Sequence, residues 1–419
     1  MPLSLFNAWQ EIAARSPESL AITDAPSGRS LTFSQLDSAA QDPDQFPTGN
    51  GVQFVLQTLA AWRSGLPTCP LEEDHGSRPD LLALPDNIAH VKTTSGSTGA
   101  PRYVIFTSEQ LAADATNIVA TMGLGPAQPN VAVISMAHSY GFSNLVLPLL
   151  LHGIPLILGG DPLPNSLSRA LTFLPETGGT LPAVPAMWRA WLDAGCLDRE
   201  RIRTAISAGA PLNPKLELAI YERTGIKVHN FYGSSECGGI AYDRSTSPRE
   251  KPDVVGSAMR GVSVTIADDG RLRVEGAAVG SGYWPVSEPE ILSGQQFHTQ
   301  DLATIDADGT IHLTGRAGDL INIAGRKLAP STIEAEILRD PAVDECIVFG
   351  VPSPDPERVQ EIVAITSGGV PSALSAQIAQ HLPAWQRVRH WWVNPDLTPN
   401  ARGKFSRNEW REKWLEHKR

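Results

Sequence analysis

Apolar positions near the start of the chain recur at helical spacing. Phe6, Trp9, Ile12 and Ala13 fall on one face, which predicts a helix over Leu5–Arg15. The polar, turn-rich residues 41–50 read as a loop, 52–64 as a second helix, and 89–93 as a short strand entering a glycine-rich loop. Short apolar runs then recur at 131–135, 155–158, 180–183, 204–207 and 227–231, with helical stretches such as Pro214–Thr224 between several of them. Strands alternating with helices predict a largely parallel sheet covered on both faces.

The pattern changes after about residue 251. Runs at 262–266, 271–274, 303–305 and 311–313 are short and separated by Asp-Asp-Gly and Asp-Gly turns, so they read as a β-meander. Beyond 315–319 a smaller α+β unit follows: a helix over 330–340, strands over 345–351 and 361–366, a helix over 372–381 and a basic C-terminal helix. The expected fold is therefore α/β. A large N-terminal domain, 1–317, has mixed and parallel sheets, flanking helices and a β-rich subdomain; a small C-terminal α+β domain spans 318–419.

Composition narrows the function classes. Hydrophobic residues make up 42% of the 419, enough for a substantial core. A formal net charge of −11 argues against nonspecific nucleic-acid binding, which needs a basic stripe. Residues 318–419 carry 13 Lys and Arg against 13 Asp and Glu, so the acidity lies in the larger part. The longest apolar run, 145–158, is broken by Pro148, His152, Gly153 and Pro155, which predicts no membrane span. Residues 1–10 lack a basic and an apolar region, so no secretory signal is expected and the location is expected to be cytoplasmic. Cys69, Cys196, Cys237 and Cys346 lie far apart, with no CxxC pair to suggest zinc or a disulfide framework.

The strongest chemical feature is the run Thr93-Thr94-Ser95-Gly96-Ser97-Thr98-Gly99-Ala100-Pro101-Arg102. Glycines turn backbone N–H groups inward, hydroxyls add donors and the terminal cation adds charge, which together suit a polyphosphate. The GxxxxGK[ST] spacing is absent. Further along the chain stand Ser207-Ala208-Gly209-Ala210-Pro211-Leu212, Phe231-Tyr232-Gly233-Ser234-Ser235-Glu236, Gly270–Gly276 with Gly282-Tyr283-Trp284, His298-Thr299-Gln300-Asp301, Gly315-Arg316-Ala317-Gly318-Asp319, Gly325 within 323–330, and Gly403-Lys404-Phe405-Ser406-Arg407.

In this order the segments resemble the motifs of the adenylate-forming superfamily: acyl-CoA synthetases, aryl-acid and amino-acid adenylation domains, and luciferases. The resemblance covers 93–407 and, more weakly, 21–36. It implies ATP and Mg²⁺ as cofactors. Thr94, Ser95, Gly96, Ser97, Thr98, Gly99 and Arg102 would hold the phosphates, and Gly209, Ala210 and Pro211 would lie beside the adenine. Tyr232 and Gly233 would support the base, Ser235 would touch the α-phosphate, and Glu236 would hold the metal. Asp301 would accept the ribose hydroxyls and Arg316 would contact the ribose and phosphate side. Gly318 would be a hinge, Gly325 would face the pantetheine tunnel, and Lys404 would bridge the substrate carboxylate, ribose and α-phosphate. Arg102 stands where the family usually has Lys, Gln300 where it has Gly, and Gly318 where it has Asp or Lys. The stretch before the phosphate loop is shorter than usual, which implies a condensed N-terminal region.

The implied reaction is an ATP-dependent ligation that forms an acyl-adenylate and then a thioester with CoA or a carrier-protein phosphopantetheine. The segment Met136-Ala137-His138-Ser139-Tyr140-Gly141-Phe142 resembles the His-x-Tyr segment of acyl-CoA and aryl-acid activating members, and it holds no carboxylate to pair an amino-acid ammonium. His138, Ser139, Phe142, Ser234, Gly239 and Ile240 are the expected acid-pocket residues, with His138 also a candidate catalytic group beside Lys404, Ser235 and Glu236. An aromatic or other small planar acid is the expected substrate. After Asn400 seven Lys and Arg face three Glu, a patch suited to CoA or to an acidic acyl or aryl carrier protein. Competing readings are an adenylating enzyme with a non-thiol acceptor, forming an amide or β-lactone, and an impaired homologue that only binds nucleotide.

Overall fold

The computed structural model describes residues 4–72, 78–94, 102–399 and 405–418. The chain divides into two compact units: Met1–Thr265 with Arg273–Thr299 and Ala307–Ile311, and Ile266–Leu272 with Gln300–Asp306 and His312–Arg419. The division runs through the predicted meander, whose strands are Val262–Ile266, Arg271–Gly276, Gln296–Ile305 and Thr310–Arg316.

The first unit is built on a mixed sheet. Its strands run, in order, Val254–Ala258, Gly238–Tyr242, Val228–Ser234, Ile202–Ser207, Gly179–Ala183, Asn130–Ala132, Leu156–Leu158, Leu20–Asp24 and, at the edge, Arg29–Thr32. The six from Val228–Ser234 to Leu20–Asp24 run parallel; Arg29–Thr32 and Gly238–Tyr242 are antiparallel to their neighbours among them, and Val254–Ala258 is antiparallel to Gly238–Tyr242. Crossovers between parallel strands put helices on the sheet faces, so the parallel strands read as near-continuous apolar runs. One face packs Trp188 and Trp191 against Val131, Val133, Leu181 and Ala205. Local signals set the helix ends: Pro214 opens the Pro214–Thr224 helix under an Asn213 cap, and a Thr107–Gln110 capping box starts Ser108–Met122.

A second sheet of this unit is antiparallel, in the order Gly282–Trp284, Arg102–Phe106, His90–Thr94. The sequence predicts its last strand but not Arg102–Phe106, which returns from the phosphate loop beside it. Thr94 and Arg102 are directly paired, and the Thr94 hydroxyl donates to the Arg102 carbonyl at 3.0 Å.

In the second unit a sheet of Cys346–Pro352, Gln360–Thr366 and His390–Val393 separates two cores. Cys346, Val348, Ile362 and Ala364 point toward Ile333, Ile337, Leu374 and Ile378 on one face. Ile347, Phe349, Val363 and Ile365 point toward Trp410 and Trp414 on the other. This is the period-2 alternation of strands buried on both faces. The four cysteines are free, and among the described residues no helix is long and apolar enough to cross a membrane.

His90 is fully buried in its strand, 2.9 Å from the Thr68 hydroxyl and stacked on Phe142 at 4.2 Å. Burial, and next the charge of Lys92, hold its pKa well below 6.5, so it is neutral in the fold. A depressed folded pKa means that the unfolded chain takes up the proton first. Stability is then complete above the unfolded pKa and falls as pH drops below it. Chemical denaturation of the first unit should show stability falling from pH 6.5 to 5, and His90→Gln should flatten that slope by up to about 1.4 kcal/mol per pH unit.

Candidate active site

The segment 138–152 is one continuous helix with an internal π-helical turn over Phe142–Val146. The His138 ring caps its start, accepting from the Tyr140 N–H at 3.4 Å. Pro148 has no N–H to offer the Asn144 carbonyl one turn back; the Asn130 side-chain amide donates to it instead, at 3.0 Å. Such π-turns re-aim side chains and recur at functional sites. Here Ser143 points into the protein, while Ser139 reaches the Tyr-Gly-Ser-Ser-Glu segment, its hydroxyl 3.0 Å from that of Ser235.

Three motif segments meet on one buried carboxylate. Asp114, from the Ser108–Met122 helix, accepts from the Ser143 hydroxyl at 2.6 Å and from the Gly239 N–H at 3.3 Å. The Lys92 ammonium, three residues before the phosphate loop, lies 3.5 Å from the same carboxylate and 3.2 Å from the Ser143 oxygen, above the Phe106 ring. Both charged side chains are 3% exposed. The neighbouring turn has no room for a side chain: Gly238 sits at φ +69°, and a Cβ there would lie 2.0 Å from the Asp114 Oδ1. None of Lys92, Asp114 and Ser143 stands out in the sequence as a site residue; the one signal is a lysine in the middle of a short predicted strand.

Glu236 and Arg102 are joined through Tyr283. The Tyr283 hydroxyl donates to the Glu236 Oε1 at 3.1 Å, and the Arg102 guanidinium lies 4.0 Å above the Tyr283 ring and pairs with Glu288. Burial, then the Glu236 charge, pushes the Tyr283 pKa upward, so its hydroxyl stays a donor. Ser234 accepts from the Glu236 N–H at 3.2 Å. Among the described residues no three His, Cys, Asp or Glu gather to cage a metal. One half-buried carboxylate suits an ion that takes its other ligands from substrate phosphates and water, as Mg²⁺ does.

The remaining predicted residues are placed as follows. The Tyr140 ring stacks on Phe231 at 5.9 Å, in a cluster with Ile206, Ala208 and Met259. Phe142 and Ile240 are fully buried. Tyr232 lies on the Val228–Ser234 strand, and Gly209, Ala210 and Pro211 follow the end of Ile202–Ser207. In the second unit the Arg316 Nε lies 3.0 Å from the Asp301 Oδ1. Gly318 occupies a short turn over Ala317–Asp319, and Gly325 with Ala324 makes the two-residue turn between Ile321–Ile323 and Arg326–Leu328, both at positive φ. Ser95, Gly96, Ser97, Thr98, Gly99 and Lys404 lie outside the described residues.

Residues 72–284 match the AMP-binding enzyme family, and the chain belongs to it. It is 28% identical over 356 residues to the feruloyl-CoA synthase of an Amycolatopsis species, covering 80% of this chain and 70% of the relative. It is 30% identical over 331 residues to the sulfoacetate–CoA ligase of Cupriavidus necator, covering 75% and 64%. ATP-bound MatB from Rhodopseudomonas palustris shares the fold, with a TM-score of 0.86 at 21% identity over 99% of each chain. The chain is thus an AMP-forming acid–thiol ligase of the adenylate-forming superfamily.

Removing either partner of the Lys92–Asp114 pair strands a buried charge. Asp114→Leu and Lys92→Met should each cost about 3–5 kcal/mol in chemical denaturation. The double variant should recover most of that loss, since two apolar side chains replace two desolvated ions.

Proposed function

We propose that this enzyme activates a small aromatic or other planar carboxylic acid with ATP and passes the acyl group to the thiol of CoA. The acid class is supported by one observation: next to Ser139 in the chain, Tyr140 stacks on Phe231 in an aromatic and apolar cluster. A flat π-face suits a ring, and segment 136–142 offers no carboxylate to an ammonium. The feruloyl-CoA synthase relative is named for an aromatic acyl group, the sulfoacetate–CoA ligase for an acid without a ring.

In the first step a substrate carboxylate oxygen attacks the α-phosphorus and pyrophosphate leaves. In the second the thiol attacks the acyl carbon and AMP leaves. Little covalent work falls to the protein, whose residues position and neutralise. The 95–99 loop and Arg102 hold the phosphates. Gly209, Ala210, Pro211, Tyr232 and Gly233 take the base, and Asp301, oriented by Arg316, takes the ribose. His138, Ser139 and Ser234 line the acid site, with Phe142, Gly239 and Ile240 behind them, and Ser235 meets the α-phosphate. Glu236 would hold Mg²⁺, which when bound offsets phosphate charge. Lys404 serves the first step and the Gly325 turn the second, with Gly318 as the pivot of residues 318–419.

The test is a product assay with ATP, Mg²⁺ and CoA across benzoates, cinnamates and sulfoacetate, read by mass spectrometry. AMP and an aryl-CoA should form with an aromatic acid and not with sulfoacetate. Product only with a holo carrier protein or an amine would reassign the acceptor. Lys404→Ala should slow adenylate formation by about a hundredfold or more, while thiolysis of a supplied acyl-adenylate stays within a few-fold. Equal loss of both steps would contradict the division of roles.

A further inference from the structure

Tyr283 touches both charges that the proposed reaction asks of the first unit. Its strand, Gly282–Trp284, pairs with Arg102–Phe106, setting Tyr283 opposite Val104 and Trp284 opposite Tyr103. That register brings the ring beneath the Arg102 guanidinium, 4.0 Å away, and the hydroxyl to the Glu236 carboxylate, 3.1 Å away. The Glu236 peptide is held by the same segment, its carbonyl accepting from the Gly280 N–H at 2.8 Å. Glu288, five residues after Tyr283, closes the chain by pairing with Arg102.

We propose that Tyr283 is a positioning residue for nucleotide binding: its hydroxyl orients the Glu236 carboxylate, and its ring, with Glu288, seats Arg102. This rests on the reading of Glu236 as the Mg²⁺-holding carboxylate. A hydrogen bond on Oε1 fixes the carboxylate torsion and leaves Oε2 free for a cation. The stack also gives a reason for arginine at 102. A planar guanidinium lies flat on a ring while its edge pairs with Glu288, which a lysine ammonium cannot do.

The experiment is calorimetric binding of a non-hydrolysable ATP analogue without acid, once with Mg²⁺ and once with chelator. Tyr283→Phe keeps the ring, the packing and the cation stack and removes only the donor. It should lose about tenfold of the Mg²⁺-dependent gain in affinity, the scale of one hydrogen bond to a charged group, and leave metal-free affinity unchanged. Arg102→Lys should instead weaken the metal-free arm. Equal losses in both arms of Tyr283→Phe, or no loss in either, would overturn the proposal. Glu236→Gln separates the two readings. If it keeps the full Mg²⁺ gain, the assignment of Glu236 fails. If it abolishes the gain while Tyr283→Phe retains it, only the role of Tyr283 fails.

Discussion

In the first unit one buried ion pair, Lys92 with Asp114, ties together segments far apart in the chain. Lys92 comes from the His90–Thr94 strand and Asp114 from the Ser108–Met122 helix, and both side chains are buried. Two desolvated charges persist only when their remaining hydrogen-bonding capacity is filled, and here functional segments fill it. Ser143 comes from the helix that His138 caps and the Gly239 N–H from the strand after Glu236, while Lys92 lies in the His90–Thr94 strand. Moving any one of these segments would unpair a buried polar group. The pair therefore fixes register among segments that lie far apart in the chain.

The second unit has its own counterpart. Arg407, three residues beyond Lys404, donates to Asp319 at 2.9 Å, to Glu334 at 2.7 Å and to the Val348 carbonyl at 3.0 Å. Burial raises the Glu334 pKa, and the Arg407 charge with the Val348 N–H opposes that rise. One guanidinium thus ties the start of the Arg407–His417 helix to the turn at Gly318 and to the Pro330–Ile337 helix. The planar fork makes several directed bonds at once, which a lysine at 407 would not.

Much of the fold was legible in the sequence because its signals are local. The Pro214–Thr224 helix carries its own cap, opening proline and closing glycine. The strands of the parallel sheet are runs of buried residues. Arg102–Phe106 is not predicted although Tyr103-Val104-Ile105-Phe106 is a strong strand pattern, because Arg102 reads as the end of the glycine-rich loop. The motif segments are legible as a family resemblance because their order along the chain is that of the adenylate-forming motifs, and the family match over 72–284 agrees with it. Their supports are not. Lys92 and Asp114 are 22 residues apart, Asp114 and Gly239 are 125 apart, and Glu236 and Tyr283 are 47 apart. No local period links such partners; only the sheet order and the π-helical turn bring them together.

The central claim is that a carboxylic acid is activated on the α-phosphate before any acceptor takes part. Isotope exchange between labelled pyrophosphate and ATP, measured without thiol across a panel of carboxylic acids, tests it most directly. Label should enter ATP only when an aromatic or other small planar acid is present. Failure of every acid in the panel to support exchange, exchange that proceeds without acid, or release of ADP in place of AMP would contradict the account.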